Sequence, residues 1–238
     1  MKIILLFCVL VFSNFVYSKI NLVSLGTPDR DDIEYPDDEE HSSAEIELGK
    51  MLYFETRLSK HNNQSCATCH NPELGFSDGI AKGIGSGGDI LGRNAPHIYN
   101  LAWSASLFWD GRASTLEEQA LGPIMSSAEM QMTPELTLER LNKISEYVDR
   151  FKEVYGELTF ENVGKAIAAF ERTFISDDSA FDKYIAGNEQ AMSPSAVRGL
   201  TLFVGKGNCV ACHDGVNFTD DSFHNIGIDN GDAGRYAL

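Results

Sequence analysis

The sequence predicts an all-α fold, and three observations carry the prediction. Apolar residues recur at helical spacing in several stretches, each opened by a capping residue or an early proline. No segment of comparable strength alternates with the two-residue period of a strand. The most distinctive motif, C-x-x-C-H, occurs twice, at Cys66-Ala67-Thr68-Cys69-His70 and Cys209-Val210-Ala211-Cys212-His213. One helical turn brings the three functional residues of such a run to a common face.

Taken in order, the chain begins with Lys2, an apolar run from Ile3 to Phe12, and Val16-Tyr17-Ser18. This has the form of a secretory signal over residues 1–18 and is too short for a permanent membrane span; an uncleaved anchor is the alternative. Residues 19–43 read as a solvated acidic linker, with Asp29-Arg30-Asp31-Asp32 and Asp37-Asp38-Glu39-Glu40. Ser42 and Glu45 have capping-box spacing, and Ile46, Leu48, Met51, Leu52 and Phe54 give the helix that follows an apolar side. His41 and His61 lie among polar residues and read as surface histidines.

After the first motif, the segment from Asn71 to Gly92 is a loop with Gly83, Gly85, Gly87 and Gly88 close together, suited to a near approach of backbone to a flat group or to a change of shape. A phosphate cradle would need a preceding strand and a closing Lys-Ser or Lys-Thr, and neither is present. From Arg93 to Met130 both tryptophans, Trp103 and Trp109, are mixed with Arg, Asp, Gln and Glu, a composition that suits a pocket with a few placed polar groups; plain core is the alternative. Thr133-Pro134 opens a helix whose stripe of Leu138, Leu141, Ile144, Val148, Phe151 and Tyr155 runs to Gly156. Thr159 opens another, with Val163, Ile167, Phe170 and Phe174. Asp177-Asp178-Ser179 marks a joint between halves. Ser193-Pro194 opens a further helix carrying Val197, Leu200 and Val204 up to Gly205, with Met192 as packing.

The two motifs have a chemical reading. Two thiols three residues apart can add to the two vinyl groups of a haem, and the following His supplies an axial nitrogen to its iron. Of the five cysteines, Cys8 lies in the expected signal, so the other four belong to the motifs. Disulfides within each pair would leave both His residues without a role. Zinc would fit two pairs only at ribbon-like spacing, and the pairs are far apart in the chain. With Lys+Arg 19 against Asp+Glu 35 and a net charge of −16, nucleic acid and anionic membrane surfaces are poor partners. A basic or weakly charged protein is steered in more easily.

The chain resembles the bacterial di-haem cytochrome c peroxidases and their MauG-like relatives. The resemblance rests on Glu47-Leu48-Gly49-Lys50, Arg57-Leu58-Ser59, Ser65 to His70, Gly75-Phe76-Ser77-Asp78, Arg93-Asn94-Ala95-Pro96, Phe108-Trp109-Asp110-Gly111-Arg112, Glu118-Gln119-Ala120, Glu129-Met130, the second motif and Phe223-His224-Asn225-Ile226-Gly227. It implies two cytochrome c-like haem domains: an N-terminal peroxidatic one over 44–176 and the start of an electron-transfer one over 177–238, truncated. The first haem, on Cys66, Cys69 and His70, would meet hydrogen peroxide. The second, on Cys209, Cys212 and His213, would take electrons from a small donor such as a cytochrome c or cupredoxin. Trp109 matches the ring between the haems, Glu129 and Gln119 the distal-pocket pair, and Asn94 a residue associated with calcium. A homodimer is also implied.

Peroxide chemistry asks for those residue types on its own account: a carboxylate to carry a proton from one oxygen to the other, and an uncharged amide to orient without competing for it. The plainer reading of Glu129 is a surface or helix-start carboxylate. Two departures from the family pattern stand out. No His lies between Asn71 and Gly92, and His97 is displaced and reads as structural, so the first haem is expected to be open in the all-ferric state. No Met follows His213 and Tyr236 is too near the motif to ligate, so the chain reads as a fragment. His224 is expected near the second haem as a hydrogen-bonding residue. The resulting expectation is a periplasmic peroxidase reducing hydrogen peroxide to water. A MauG-like oxidase of a protein substrate and a di-haem electron carrier are the alternatives.

Overall fold

Ser42 opens the first helix as its spacing predicts: its hydroxyl accepts from Glu45 N–H at 3.2 Å, and the Glu45 carboxylate accepts from Ser42 N–H at 2.7 Å. The computed structural model describes residues 25–36, 39–228 and 231–237, so the expected export signal lies outside the described residues. Helix α1 is Ser43–Tyr53, α2 Cys66–Cys69, α3 Leu116–Met125, α4 Pro134–Asn142, α5 Ser145–Tyr155, α6 Phe160–Glu171, α7 Ala180–Ile185 and α8 Pro194–Val204. Among the described residues there is no strand, only isolated bridges. The all-α class holds.

Helix α6 is the centre of the frame, with α1 and α3 packed against it. The core joins Leu48 and Leu52 of α1, Ile124 of α3, Leu141 of α4, Phe151 of α5, and Val163 and Ile167 of α6. The α1 and α6 backbones meet at Gly49, where an added Cβ would lie 1.8 Å from Ala166 O. Gly164 repeats the device on α3, its would-be Cβ 2.7 Å from Glu117 O. Helices this close must carry glycine at the crossing.

The stripe from Thr133 to Gly156 is not one helix. Helix α4 ends at Asn142, the Lys143 N–H closes onto Arg140 O and Leu141 O, and Ile144 takes an extended conformation (φ −119°, ψ 104°) before α5. The apolar register continues across this break, which is why it reads as continuous. The turn lets Tyr147 reach back to the residues just after α1, its hydroxyl donating to Glu55 at 3.0 Å. The other starts hold: Thr133 accepts from Leu136 N–H, Thr159 from Asn162 N–H and Ser193 from Ala196 N–H.

The acidic arm and His41 also differ from expectation. Leu25 and Ile33 are buried, and Arg30 pairs with Asp177 at 2.9 Å. The His41 side chain is 8% exposed, edge-on to Tyr35 at 5.3 Å, with its Nε2 accepting from Arg172 Nη1 at 3.3 Å. Polar sequence neighbours conceal this because the partner comes from the far end of α6. Arg172 is itself held by Glu117 of α3 at 2.5 Å.

Helix α7 is capped reciprocally by Ser179 and Asp182. The residues after it meet the earlier ones through polar contacts. Asn217 donates to Asn100 O at 3.0 Å, Arg235 to Asp110 O at 2.8 Å, and Arg93 bridges Asp110 (2.6 Å) and Asp232 (2.5 Å).

Candidate functional site

The first C-x-x-C-H run forms the single turn that its spacing predicts. Thr68 Oγ1 accepts from Ser65 N–H at 3.0 Å at the start of α2, and His70 N–H donates to Cys66 O at 2.8 Å at its end. Two backbone carbonyls stand behind the imidazole: His70 Nδ1 lies 2.9 Å from Pro96 O and 3.2 Å from Phe76 O. Carbonyls only accept, so Nδ1 carries the proton and Nε2 keeps its lone pair for a metal. Tyr53, buried in α1, donates its hydroxyl to His70 O at 2.6 Å and anchors the same turn.

The second run repeats this arrangement on a tighter 3-10 turn, Cys209–Ala211. His213 N–H donates to Cys209 O at 3.0 Å, and His213 Nδ1 lies 3.0 Å from Phe218 O. Phe76 and Phe218, whose carbonyls orient the two imidazoles, both adopt left-handed backbone conformations (φ 59° and 54°). His224 does lie near this motif. Its Nε2 is 2.7 Å from Asp220 Oδ2, and Asp220 N–H donates to Cys212 O at 2.9 Å.

A cavity of about 370 Å³ opens over the first motif. Cys66, Cys69 and His70 line it together with Gln119 of α3, Glu129, Trp109, Asn94, Arg112, His97, and Ile167 and Glu171 of α6. The structure thus gathers every residue that the sequence places at the first haem, Glu129 and Gln119 included. Trp103 is not in the lining; its indole N–H is buried without a partner. Trp109 is 56% exposed, its N–H donating to Asn94 O at 2.9 Å, while Asn94 donates its own amide to Ile80 O at 2.6 Å. His97 follows Pro96, so its backbone stands beside the ligand imidazole.

The glycine-rich loop approaches another backbone, that of the Glu129 segment. At Gly85 an added Cβ would lie 1.8 Å from Ala128 O, and the next residue, Ser86, donates its N–H to Glu129 O at 2.7 Å. Glu129 N–H in turn donates to Ser126 O at 3.2 Å. The loop therefore fixes where Glu129 stands.

Burial governs the electrostatics. It pushes the Cys66 thiol up strongly and the Cys69 thiol up to about 11, with Asp78 and Glu129 adding to the latter. It also lowers His70, keeping the imidazole neutral as a ligand requires. Glu171, overlooked in the sequence, is pushed up to about 8 by burial, against the pull of Arg172 and with the repulsion of Glu117. Its signal was available: it lies four residues beyond Ile167, an acid on the buried face of α6.

Free thiols in pairs, each closed by an imidazole whose proton is pinned away from its ligating nitrogen, define a c-type cytochrome with two attachment sites. One of them opens into a cavity that holds a carboxylate and an amide. Residues 43–190 match the family described as di-haem cytochrome c peroxidase, and the chain belongs to that family. It is 45% identical over 194 residues to the methylamine utilization protein MauG of Methylorubrum extorquens, covering 80% of this chain and 55% of that one. To the cytochrome c551 peroxidase of Pseudomonas aeruginosa it is 39% identical over 210 residues, covering 83% and 60%. The fold is similar to the crystal structure of a MauG-like protein associated with microbial copper homeostasis, with TM-score 0.80, 28% identity, and coverage of 90% of this chain and 69% of that one. The chain thus spans little more than half the length of these curated relatives. Its cofactors are two c-type haems, one per motif. The orientation of both imidazoles fits that cofactor independently of the comparison.

Proposed function

We propose that this chain acts as a periplasmic di-haem cytochrome c peroxidase that reduces hydrogen peroxide to water with electrons from a small redox protein. The observation that supports it best is the presence of Glu129 and Gln119 in the same cavity as Cys66, Cys69 and His70. When bound, the first haem supplies the iron at which peroxide is reduced and the second supplies a route for electrons. Each peroxide needs two electrons and two protons to become two waters. The Glu129 carboxylate takes the proton from one peroxide oxygen and returns it to the other as their bond breaks, an intramolecular relay that a fixed base performs well. Gln119 offers an amide N–H to hold the peroxide and an oxygen to accept from it, and it does not titrate. His70 Nδ1–H, pinned on Pro96 O, keeps the proximal imidazole from turning.

On the other motif, His213 is oriented alike, and Trp109, between Asn94 and open surface, is the ring proposed to pass electrons to the first haem. The donor, a cytochrome c or cupredoxin, is drawn by the net charge of −16 if its own docking face is basic. Export and domain limits of 44–176 and 177–238 belong to the same reading, as does calcium beside Asn94. Among the described residues no helix is long and apolar enough to cross a membrane.

A MauG-like oxidase acting on a protein substrate is the second reading, favoured by the higher identity to the Methylorubrum protein. Mixing the haem-loaded protein with peroxide and a reduced cytochrome c distinguishes them. Stoichiometric oxidation of the donor supports the peroxidase. Consumption of peroxide only when an oxidisable protein substrate is present supports the oxidase. Inertness in both leaves an electron carrier and removes the proposal.

A further inference from the structure

Neither haem attachment nor the Glu129 relay uses Glu171, the last residue of α6. It is 5% exposed and lines the cavity with Cys66 and Ile167, and its Oε2 is enclosed without a hydrogen-bond partner. A carboxylate oxygen buried with no partner is costly to charge, which raises the proton affinity of the group. The neighbours relieve it only in part, Arg172 favouring the charged form and Glu117 opposing it. Arg172, next in the chain, spends Nη1 on Glu117 of α3 and on His41 of the arm, and its own Nε is buried and unpaired. Tyr53 of α1 is committed to His70 O, and Cys66 of α2 becomes an uncharged thioether once haem is attached.

We propose that Glu171 is the proton-exchanging group of the first haem cavity: it binds one proton as the first haem gains one electron, and releases it on reoxidation. The electron comes from the external donor and the proton from water. An O–H bond forms on a Glu171 carboxylate oxygen as an O–H bond of the solvent proton donor breaks, and no other covalent bond changes. The physical cause is charge burial. An electron arriving beside a buried acid raises that acid's proton affinity, and the proton restores the local charge. Glu171 is suited to this because its proton affinity already lies near neutrality, pushed up to about 8 by its surroundings. The inference needs only the haem at Cys66, Cys69 and His70, and is independent of whether peroxide or a protein is the substrate.

The test is a mediated spectroelectrochemical titration of the haem-loaded protein over roughly two pH units either side of that value, following the first haem's own bands. Full coupling lowers its midpoint potential by about 59 mV per pH unit, the shift equivalent to a tenfold change for a one-electron couple. The slope is expected in the wild type and lost in Glu171→Gln, with the second haem unaffected. A flat wild-type potential, or a slope that persists in Glu171→Gln, overturns the proposal. Should Glu171→Gln fail to take up haem, Glu171→Asp retains a carboxyl. In that case the carboxylic C=O stretch that appears on reduction in infrared difference spectra must shift between Asp and wild type, and an unshifted or absent band is equally fatal.

Discussion

Replacing Gly85 with Ala should displace the cavity's acid without touching it. A Cβ there would lie 1.8 Å from Ala128 O and 3.3 Å from Glu129 O, whereas ordinary contact begins at 3.4 Å. One backbone must retreat by about 1.6 Å to restore contact distance with Ala128. Ser86, whose N–H holds Glu129 O at 2.7 Å, moves with the loop. Because misplacing a reacting group by about 1 Å can cost about 100-fold in rate, peroxide turnover in Gly85→Ala should fall by about two orders of magnitude. Overpacking should lower stability by about 1–3 kcal/mol. Turnover with reduced cytochrome c, haem content per chain and thermal unfolding are measured together. A variant with full haem content and turnover within about threefold of wild type would refute the claim that the glycine loop positions Glu129.

Other perturbations separate the remaining claims. Glu129→Gln should retain both haems yet lose about 100-fold or more in peroxide turnover, the loss expected for a removed proton relay; unchanged turnover removes Glu129 from the mechanism. Gly49→Ala, which in an ordinary helix would gain about 1 kcal/mol, should instead lose about 1–3 kcal/mol in urea unfolding because the new Cβ meets Ala166 O at 1.8 Å. His41 is held below its ordinary value by burial first and Arg172 second, opposed by Glu45 and Glu117. The unfolded chain therefore binds the extra proton as pH falls below 6.5, and stability contributed by neutral His41 is lost in that direction. Thermal midpoints should drop more steeply on acidification in wild type than in His41→Asn, and parallel curves would contradict this. The oxidised protein should show no bis-histidine low-spin signal from the first haem in electron paramagnetic resonance, and should react with peroxide without prior reduction.

What was legible in the sequence was local. The Ser42–Glu45 box, Thr133-Pro134, Thr159 and Ser193-Pro194 each place a helix start within a few residues, because a cap is a hydrogen bond between near neighbours. Cys66, Cys69 and His70 meet one cavity because a single turn brings them there. The break at Ile144 is hidden in the sequence because the apolar stripe runs through it in register. The burial of His41 is set by Arg172, 131 residues away, and the loop at Gly85 finds its partner at Ala128 only once the chain has folded. Gln119 and Glu129 were placed by resemblance rather than by periodicity, since nothing in their spacing shows that α3 and the following loop face the same hollow.

The paired left-handed phenylalanines have a consequence for substitution. A bulky residue held at positive φ costs about 1–2 kcal/mol, and the chain carries this twice, at Phe76 and Phe218. In each case the strained residue is the one whose carbonyl stands behind an imidazole. Glycine at either position would relieve the cost but also free the backbone to swing that oxygen away. Tolerance of the awkward conformation is thus tied to how firmly each ring is kept from swivelling.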